Sequence, residues 1–183
     1  VGALEIADRV SRVLEMKVAD REVLEHIARN HDLRETTLDS FDERYPGAMR
    51  EFGSLLFGEK SFTMGDYHRY LASAVFSLAD AAPTVFVGRA AHLILPRKQV
   101  LAVRFIASRE YRIERVAKIL NSDKKGAETE IDLADKEQRE FFIKNYGKQE
   151  ASPYEFDIVI NRDHLASAEA AADIVITAYR GKF

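Results

Sequence analysis

Residues 84–89 read Thr84-Val85-Phe86-Val87-Gly88-Arg89, a short apolar run that stops at a glycine and an arginine. Short apolar runs rich in β-branched and aromatic residues are typical of buried strands. Two further runs of this kind occur at 100–106 and 156–160, and helical patterns separate all three. Strands that alternate with helices predict an α/β domain with a parallel sheet, its strands buried on both faces.

Helical periodicity accounts for most of the remaining sequence. The inward positions are Ile6, Val10, Val13 and Leu14 in the first helix, Val23, Leu24 and Ile27 in the second, Tyr67, Leu71, Ala74, Val75 and Leu78 in the third, Ile113, Val116, Ala117 and Leu120 in the fourth, and Leu165, Ala168, Ala172, Val175, Ile176 and Tyr179 in the last, which runs from about 163 to 179. A strongly charged helix is expected over 127–145 and a short strand over 16–19. Asp20 and Ser108 are placed to cap helices.

The third helix is expected to begin at a capping box over 63–66 and to end at Pro83. The segment from about 31 to 82 is rich in helical pattern and lies between strand positions. It is expected to form an arm over the sheet edge within a single domain.

Composition indicates a globular chain and excludes several classes of function. The 183 residues are 46% hydrophobic and 31% charged, with 27 Lys and Arg against 30 Asp and Glu, a net charge of −3. Domains that coat nucleic acid are usually basic, so we expect no nucleic-acid partner, although a local basic pocket for a phosphorylated small molecule stays open. The chain has no cysteine, which excludes disulfides, thiolate metal sites and a cysteine nucleophile. No apolar run approaches the ~18 residues of a membrane span.

Candidate binding residues follow the predicted strands, because ligands of parallel sheets bind beyond the carboxyl ends of the strands. Gly88 permits close backbone approach, and Arg89 offers a planar fork for phosphate. The alternative is a turn glycine with a solvated arginine. Arg109, Arg112 and Arg115 follow the next strand at a spacing of three, which places them on one helical stripe. That stripe is either a salt-bridged solvent face or the cationic wall of an anion site.

Other features carry weaker signals. Arg139 lies in the charged helix, which is either a solvated helix or a mobile arm that brings positive charge to a phosphoryl group. The five histidines make no HExxH motif or other dense metal spacing, so no metal-binding side chains are expected. The phosphate cradle GxxxxGK[ST] is absent, although Gly2, directly before the first helix, is a candidate for its last trace.

Several stretches together resemble the cytidylate kinase-like family of P-loop kinases. The resemblance is carried, in order, by residues 5–7, 18–22, 85–95, 105–115, 135–147 and 156–161. It implies a P-loop kinase-like three-layer α/β/α fold with a five-stranded parallel sheet. It also implies a helical arm of the kind that binds nucleoside monophosphates over about 31–82, and a short lid-like helix over about 122–147, within a single domain over 1–183.

The resemblance implies transfer of the γ-phosphoryl group of ATP, with Mg²⁺, to a nucleoside monophosphate such as CMP. The residues it assigns are Arg112, Arg115 and Arg139 to the ATP phosphates or the transferring group, Gly2 to the phosphate cradle, Asn161 to the surroundings of the adenine, Arg89 to the phosphate of the acceptor, and Asp20 to the start of the acceptor-binding arm. Cytidylate kinases carry Gly-Arg-Asp, whereas here Arg89 is followed by Ala90. The acidic group that would read the base or sugar is therefore missing, and the acceptor is open.

The sequence begins Val1-Gly2 without a methionine, and we expect the first strand and most of the glycine-rich loop to precede Val1. The leading interpretation is a cytoplasmic kinase that acts on small-molecule nucleotides, with no membrane association. The alternative is a non-catalytic nucleotide-binding or regulatory module with a kinase-like fold, since fold does not determine function. A third interpretation is a helical interaction protein whose surface carries Tyr45, Phe52, Phe57 and Tyr67.

Overall fold

The structure is a computed structural model that describes residues 1–29 and 66–183. The helices are α1 (Ala3–Leu14), α2 (Arg21–Arg29), α3 (Asp66–Ala81), α4 (Arg109–Leu120), α5 (Lys124–Tyr146) and α6 (Ala168–Lys182). The strands are β1 (Lys17–Ala19), β2 (Thr84–Phe86), β3 (Val103–Ile106) and β4 (Ile158–Asn161). Short 3-10 helices lie at Ala91–Leu93, Arg97–Gln99, Pro153–Glu155 and Arg162–His164. The predicted mixture of helices and short parallel strands is confirmed.

The chain divides into two compact units. The β1–β2 unit comprises Ala3–Leu101 and Ala172–Phe183, and the β3–β4 unit comprises Val1–Gly2 and Ala102–Ala171. The single domain over 1–183 stays a prediction. Residues 31–65 of the expected arm lie outside the described residues, as do Tyr45, Phe52, Phe57 and the start of the capping box at 63–66.

In the β1–β2 unit, β1 and β2 pair in parallel, with Val18 opposite Val85. Helices α2 and α3 pack against each other, and α1 packs near both strands. The interior side chains are apolar. Helical periodicity predicts Ile6 and Val10 of α1, Leu24 of α2, and Leu71, Ala74 and Val75 of α3, and Phe76 of α3 is buried as well. Burial of these faces stabilises the helices, because amphipathic helices gain most of their stability from packing.

In the β3–β4 unit, β3 and β4 pair in parallel, with Phe105 opposite Ile160. The carboxylate of Asp157 accepts a hydrogen bond from the backbone N–H of Ala102 at 2.7 Å, which ties the two strands together at their start. Helices α4 and α5 pack through Ile113, Ala127 and Ile131.

The sheet is smaller than the resemblance implies. In the described part of the chain, each strand pairs with a single neighbour, and the strands form two two-stranded parallel sheets. A five-stranded sheet is therefore not observed. Burial is also partial, since Ile106 and Val159 are about 40% exposed at 39% and 41%. The expectation that the strands are buried on both faces is wrong for these residues, because a strand with one neighbour leaves an edge open to solvent.

Several helix ends confirm the predicted capping. Asp20 Oδ1 accepts a hydrogen bond from Val23 N at 3.0 Å, and Ser108 Oγ accepts one from Tyr111 N at 3.2 Å. Helix α3 ends at Ala81, just before Pro83. Helix α5 is longer than 127–145, because the carboxylate of Asp123 caps its start by accepting from Gly126 N at 2.8 Å.

The last helix begins later than predicted. Residues 162–164 form a 3-10 helix, and α6 begins at Ala168 rather than near 163. The side chain of Asn161 accepts a hydrogen bond from Asp163 N at 3.0 Å, and Ser167 Oγ accepts one from Ala170 N at 3.2 Å. Side chains of this kind compete with helical backbone hydrogen bonds, so the helix cannot propagate back to residue 163.

Three positions predicted to face inward are exposed. Leu120, Val13 and Val23 are 53%, 43% and 40% exposed. Each lies in the first or last turn of its helix. Periodicity assigns a face of the helix but not the point at which the packing partner ends, so terminal positions were placed in the core wrongly.

Candidate functional site

The loops that follow β3 and β4 are joined directly. The backbone N–H of Ser108 donates to the carboxylate of Asp163, with distances of 2.9 and 3.1 Å to its two oxygens. The carboxyl ends of the two strands therefore meet at one edge of their sheet, as expected for parallel strands. Ser108 also caps α4, so the same contact sets the position of that helix start.

Gly2 packs against the guanidinium of Arg115. A Cβ atom at residue 2 would lie 2.8 Å from Arg115 Nη2 and 3.0 Å from Arg115 Cζ. Gly2 also has a φ of +79°, a conformation that side chains rarely adopt. The positive φ favours glycine at residue 2, and a Cβ atom there would force the flexible end of Arg115 to shift. The structure thus brings together two predicted site residues that are more than 100 positions apart.

Positive charge accumulates around this contact. The charges of Arg115, Arg112 and Arg162 all act at the backbone nitrogen of Val1. Like charges disfavour a second cation and favour an anion at the same place. The segment Val1–Gly2 therefore lies in a field that suits a phosphate or carboxylate group.

Arg112 is partly engaged by a carboxylate. Its Nη1 lies 2.7 Å from Asp135 Oδ1 of α5, and both side chains are about one-third exposed, at 27% and 37%. Its Nε is inaccessible to solvent and has no hydrogen-bond partner. The predicted alternative of a salt-bridged face is thus observed at Arg112, although one donor of the guanidinium remains unused.

A second ion pair links the same helices. Arg109 Nη1 lies 2.8 Å from Asp132 Oδ1, and both side chains are exposed. The hydrogen bond from Arg109 is the main cause that lowers the pKa of Asp132, and the same bond raises the pKa of Arg109. Exposed pairs contribute little stability, so the apolar contacts of Ile113, Ala127 and Ile131 hold α4 beside α5 more than this pair does.

Two other predicted residues stand apart from these contacts. Arg139 is exposed on α5, one helical turn beyond Asp135 and on the same stripe. Asn161 is the last residue of β4, and its side-chain oxygen accepts from Asp163 N. The structure shows no contact from either residue to Gly2 or Arg115 among the described residues.

Sequence reasoning missed Arg162, which directly follows Asn161. Its side chain is buried, with a relative exposure of 2%. Its Nη1 donates to the backbone oxygen of Ser167, and its Nη2 donates to the hydroxyl of Tyr111 at 3.2 Å. The signal in the sequence was its position directly after a predicted strand, where ligand-binding residues of parallel sheets lie. At that place only Asn161 was predicted as a site residue.

The remaining predicted residues lie in the β1–β2 unit. The backbone N–H of Val87 donates to the carbonyl of Ala19 at 2.9 Å, so Asp20 and Gly88 follow neighbouring strands at one edge of their sheet. Asp20 caps α2. Arg89 is half-buried and directly follows Gly88.

The loop after β2 has an unusual backbone. Gly88, Arg89 and Ala90 have φ values of +86°, +51° and +54°. Two consecutive non-glycine residues in the left-handed region carry strain on the order of 1–2 kcal/mol each. Strain of this kind is concentrated at binding and active sites, so this loop is a candidate functional segment.

Metal-binding clusters and membrane-spanning helices are both absent from the described residues. No group of three or more His, Cys, Asp or Glu side chains there is arranged to hold a metal ion. Within the same ranges, none of the helices has the length and apolar character needed to cross a membrane.

Comparison with known proteins places the chain in a family. The model of the cytidylate kinase-like family matches residues 1–164. The chain belongs to this family. The resemblance seen in the sequence is thereby confirmed, and membership in the cytidylate kinase-like family indicates a nucleotide kinase-like function with use of a nucleotide such as ATP.

A solved structure shares the fold of this cytidylate kinase-like chain. It is an uncharacterized protein from Eubacterium ventriosum ATCC 27560, with a TM-score of 0.71 and 15% sequence identity over 98% of this chain and 92% of that chain. At this identity the likeness concerns the fold alone. A comparison with curated proteins found no match.

Proposed function

We propose that this member of the cytidylate kinase-like family transfers the γ-phosphoryl group of ATP to a nucleoside monophosphate. The observation that carries the proposal is the convergence of the charges of Arg112, Arg115 and Arg162 on the Val1–Gly2 segment that leads into α1. Phosphoryl transfer needs little covalent chemistry from the protein and depends on positioning and on stabilisation of charge. Guanidinium groups around a glycine backbone supply both.

The proposed roles on the ATP side follow from these positions. Arg115, packed on Gly2, would hold the phosphate chain, and Arg112 would use its unpaired Nε for the same purpose. Arg139 would bring charge from α5 to the transferring group. Asn161 would lie near the adenine, as the family resemblance implies.

The fit of ATP and Mg²⁺ is tested by the donors present. Arginine donors suit phosphate oxygens, since the guanidinium matches phosphate geometry. Mg²⁺ is usually held by substrate phosphates and one or two carboxylates, so a cage of protein side chains is not required. When bound to ATP, Mg²⁺ would neutralise part of the phosphate charge.

The proposed site for the acceptor nucleotide lies where the loops leave the carboxyl ends of β1 and β2. Arg89, held in a strained turn after β2, would bind the phosphate of the acceptor, and Asp20 would begin the acceptor-binding arm. Ala90 is buried at 6% exposure and offers no polar group to a base or sugar. The proposal therefore names a nucleoside monophosphate without assigning cytosine.

The proposal also covers the complete fold of the enzyme and its location in the cell. A five-stranded parallel sheet and a complete P-loop would accompany this activity, within one domain. Two-stranded sheets are marginal in isolation, which favours a further strand beside these pairs. A cytoplasmic location, with a small-molecule nucleotide as partner and neither nucleic acid nor membrane, belongs to the same proposal.

The test is an ADP-release assay on the full-length protein. ATP and Mg²⁺ are supplied with CMP, dCMP, UMP or AMP in turn. We expect release that depends on one acceptor and that falls at least tenfold in Arg89→Ala, whereas the exposed control Arg180→Ala keeps the wild-type rate. ADP release that is absent with every acceptor, or equal without an acceptor, would contradict the proposal.

A second candidate is a nucleotide-binding module without turnover. Two observations favour it: Ala90 stands where the family pattern carries an acid, and Arg112 is paired with Asp135. The module would be stabilised by nucleotides but would release no ADP with any acceptor. The same assay, run beside a thermal titration, separates it from the kinase.

A further inference from the structure

We propose that Arg162 is a further phosphate-binding residue, whose guanidinium engages the same polyanion as Arg112 and Arg115. The inference rests on the proposed function for the identity of that polyanion. The burial of Arg162, its hydrogen bonds and its place in the fold carry the rest of the argument.

Arg162 is a buried cation without an anionic partner. It is the largest of the fully buried side chains in the described part of the chain, with 2% exposure. Its two hydrogen-bond acceptors in the described part of the chain, the carbonyl of Ser167 and the hydroxyl of Tyr111, are neutral. Its Nε is buried and donates no hydrogen bond. Within residues 1–29 and 66–183, no carboxylate forms an ion pair with it.

A buried charge without an anionic partner lowers the stability of the folded protein unless another interaction compensates it. Arginine stays protonated in proteins, so Arg162 cannot escape the cost by losing its charge. Buried charges are normally paired or bound to a counter-ion. A methionine or glutamine would fill comparable space without a buried charge. A bound oxyanion provides the missing compensation and an acceptor for Nε.

The place of Arg162 in the fold directs that anion to the candidate site. Arg162 directly follows β4, at the edge where ligands of parallel sheets bind. Its hydrogen bond to Tyr111 links it to the first turn of α4, and Arg112 is the next residue of that helix. Its neighbour Asp163 binds Ser108 N, which holds the same loop against the helix start.

Electrostatics agree with this placement. Arg162 joins Arg115 and Arg112 among the charges that act at the backbone nitrogen of Val1. Asp135 pairs with Arg112, whereas the acceptors of Arg162 among the described residues are neutral. Several guanidinium groups that act near one point suit the oxygens of a phosphate chain.

Bracing of α4 is the competing explanation, because Arg162 also holds Tyr111. The two roles differ in what they predict. A brace acts through shape, so loss of the hydrogen bond to Tyr111 would matter as much as loss of the charge. A phosphate-binding residue acts through charge, so its removal weakens polyanion binding while Tyr111→Phe leaves that binding nearly unchanged.

Calorimetric titration of the full-length protein with tripolyphosphate tests the proposal. We expect Arg162→Gln to weaken binding at least tenfold, Arg162→Lys to weaken it less, and Tyr111→Phe to stay within about threefold of wild type. Binding by Arg162→Gln within twofold of wild type would overturn the proposal. An equal loss in Arg162→Gln and Tyr111→Phe would overturn it as well, in favour of the brace.

A measurement on the wild type covers the case in which Arg162→Gln does not fold. The Nε–H resonance of Arg162 is followed by NMR during the same titration, with Arg162→Lys used for its assignment. We expect the resonance to move in step with binding, because the buried Nε gains an acceptor. A resonance that stays in place while tripolyphosphate binds would overturn the inference.

The outcomes separate this inference from the proposed function. Tripolyphosphate binding that depends on Arg162, without ADP release from any acceptor, would overturn the kinase proposal and support the role of Arg162. Normal ADP release with an unchanged affinity in Arg162→Gln would overturn the role of Arg162 alone. A wild-type protein that binds no tripolyphosphate would overturn the inference directly.

Discussion

At the scale of single residues, Gly2 and Arg115 form the contact on which the ATP side of the site depends. A methyl group at residue 2 would meet the end of the Arg115 side chain at 2.8 Å, and the backbone there has a φ of +79°. The side chain is flexible enough to move away, so the protein would still fold. The guanidinium would then leave the place where it faces the Val1–Gly2 backbone.

We therefore predict that Gly2→Ala raises the KM for ATP about tenfold, because one charge-assisted phosphate contact is displaced. Gly147→Ala is the matched control: residue 147 has a φ of +62° and open space around its Cβ position. Steady-state kinetics on both variants check the prediction. An equal change in the two variants would trace the effect to backbone strain and not to Arg115.

Asp135 is predicted to compete with phosphate for Arg112. Asp135→Asn removes the charge of the pair while keeping the shape of the side chain. We expect tripolyphosphate affinity to increase about threefold to fivefold, as fits a partly exposed ion pair. Asp132→Asn, which frees Arg109 instead, serves as the control in the same titration. Tighter binding in the control alone would contradict the assignment of Arg112.

At the scale of elements, local sequence predicted two helix caps correctly, whereas it placed the start of α6 too early. The caps at Asp20 and Ser108 are confirmed, because a side-chain oxygen reaches backbone N–H groups three residues away without help from the rest of the fold. The end of α1 is a different case. Glu15 follows α1 with a φ of +56°, and Met16 N donates to Ser11 O at 2.9 Å, the pattern of a helix end that normally uses glycine.

Glu15→Gly is expected to stabilise the protein by about 1 kcal/mol, because glycine removes the steric cost of the left-handed conformation at an exposed position. Chemical denaturation measures the change. Glu15→Ala keeps a Cβ atom and is expected to change the free energy of unfolding by less than about 0.5 kcal/mol. A destabilised glycine variant would show that Glu15 makes contacts that outweigh the backbone strain.

At the scale of the whole molecule, nucleotide binding is expected to appear as thermal stabilisation. A ligand at about 100 times its Kd adds about 2.7 kcal/mol to the folded state, which corresponds to a rise in Tm of about 5–10 °C for a chain of this size. We predict this rise with ATP and Mg²⁺, and its loss in Arg112→Ala/Arg115→Ala. Adenosine, which lacks phosphates, and the exposed Lys118→Ala variant are the controls.

By itself, the sequence predicted the alternation of helices and strands, the parallel pairing, the two helix caps and the family. These features follow from local spacing, short-range hydrogen bonds and ordered motifs, all of which are present along the chain. It also predicted Arg112, Arg115 and Gly2 as candidates, but the residues alone favoured a salt-bridged solvent face for the arginine stripe.

Only the tertiary structure decided which of these residues meet. The contact of Gly2 with Arg115, the pairing of Arg112 with Asp135 and the burial of Arg162 against Tyr111 join positions between 23 and 113 residues apart. The two-stranded sheets and the exposed helix ends were decided in the same way. Burial and ion pairing depend on what a side chain faces after the chain has folded, and periodicity along one element carries no information about the element opposite.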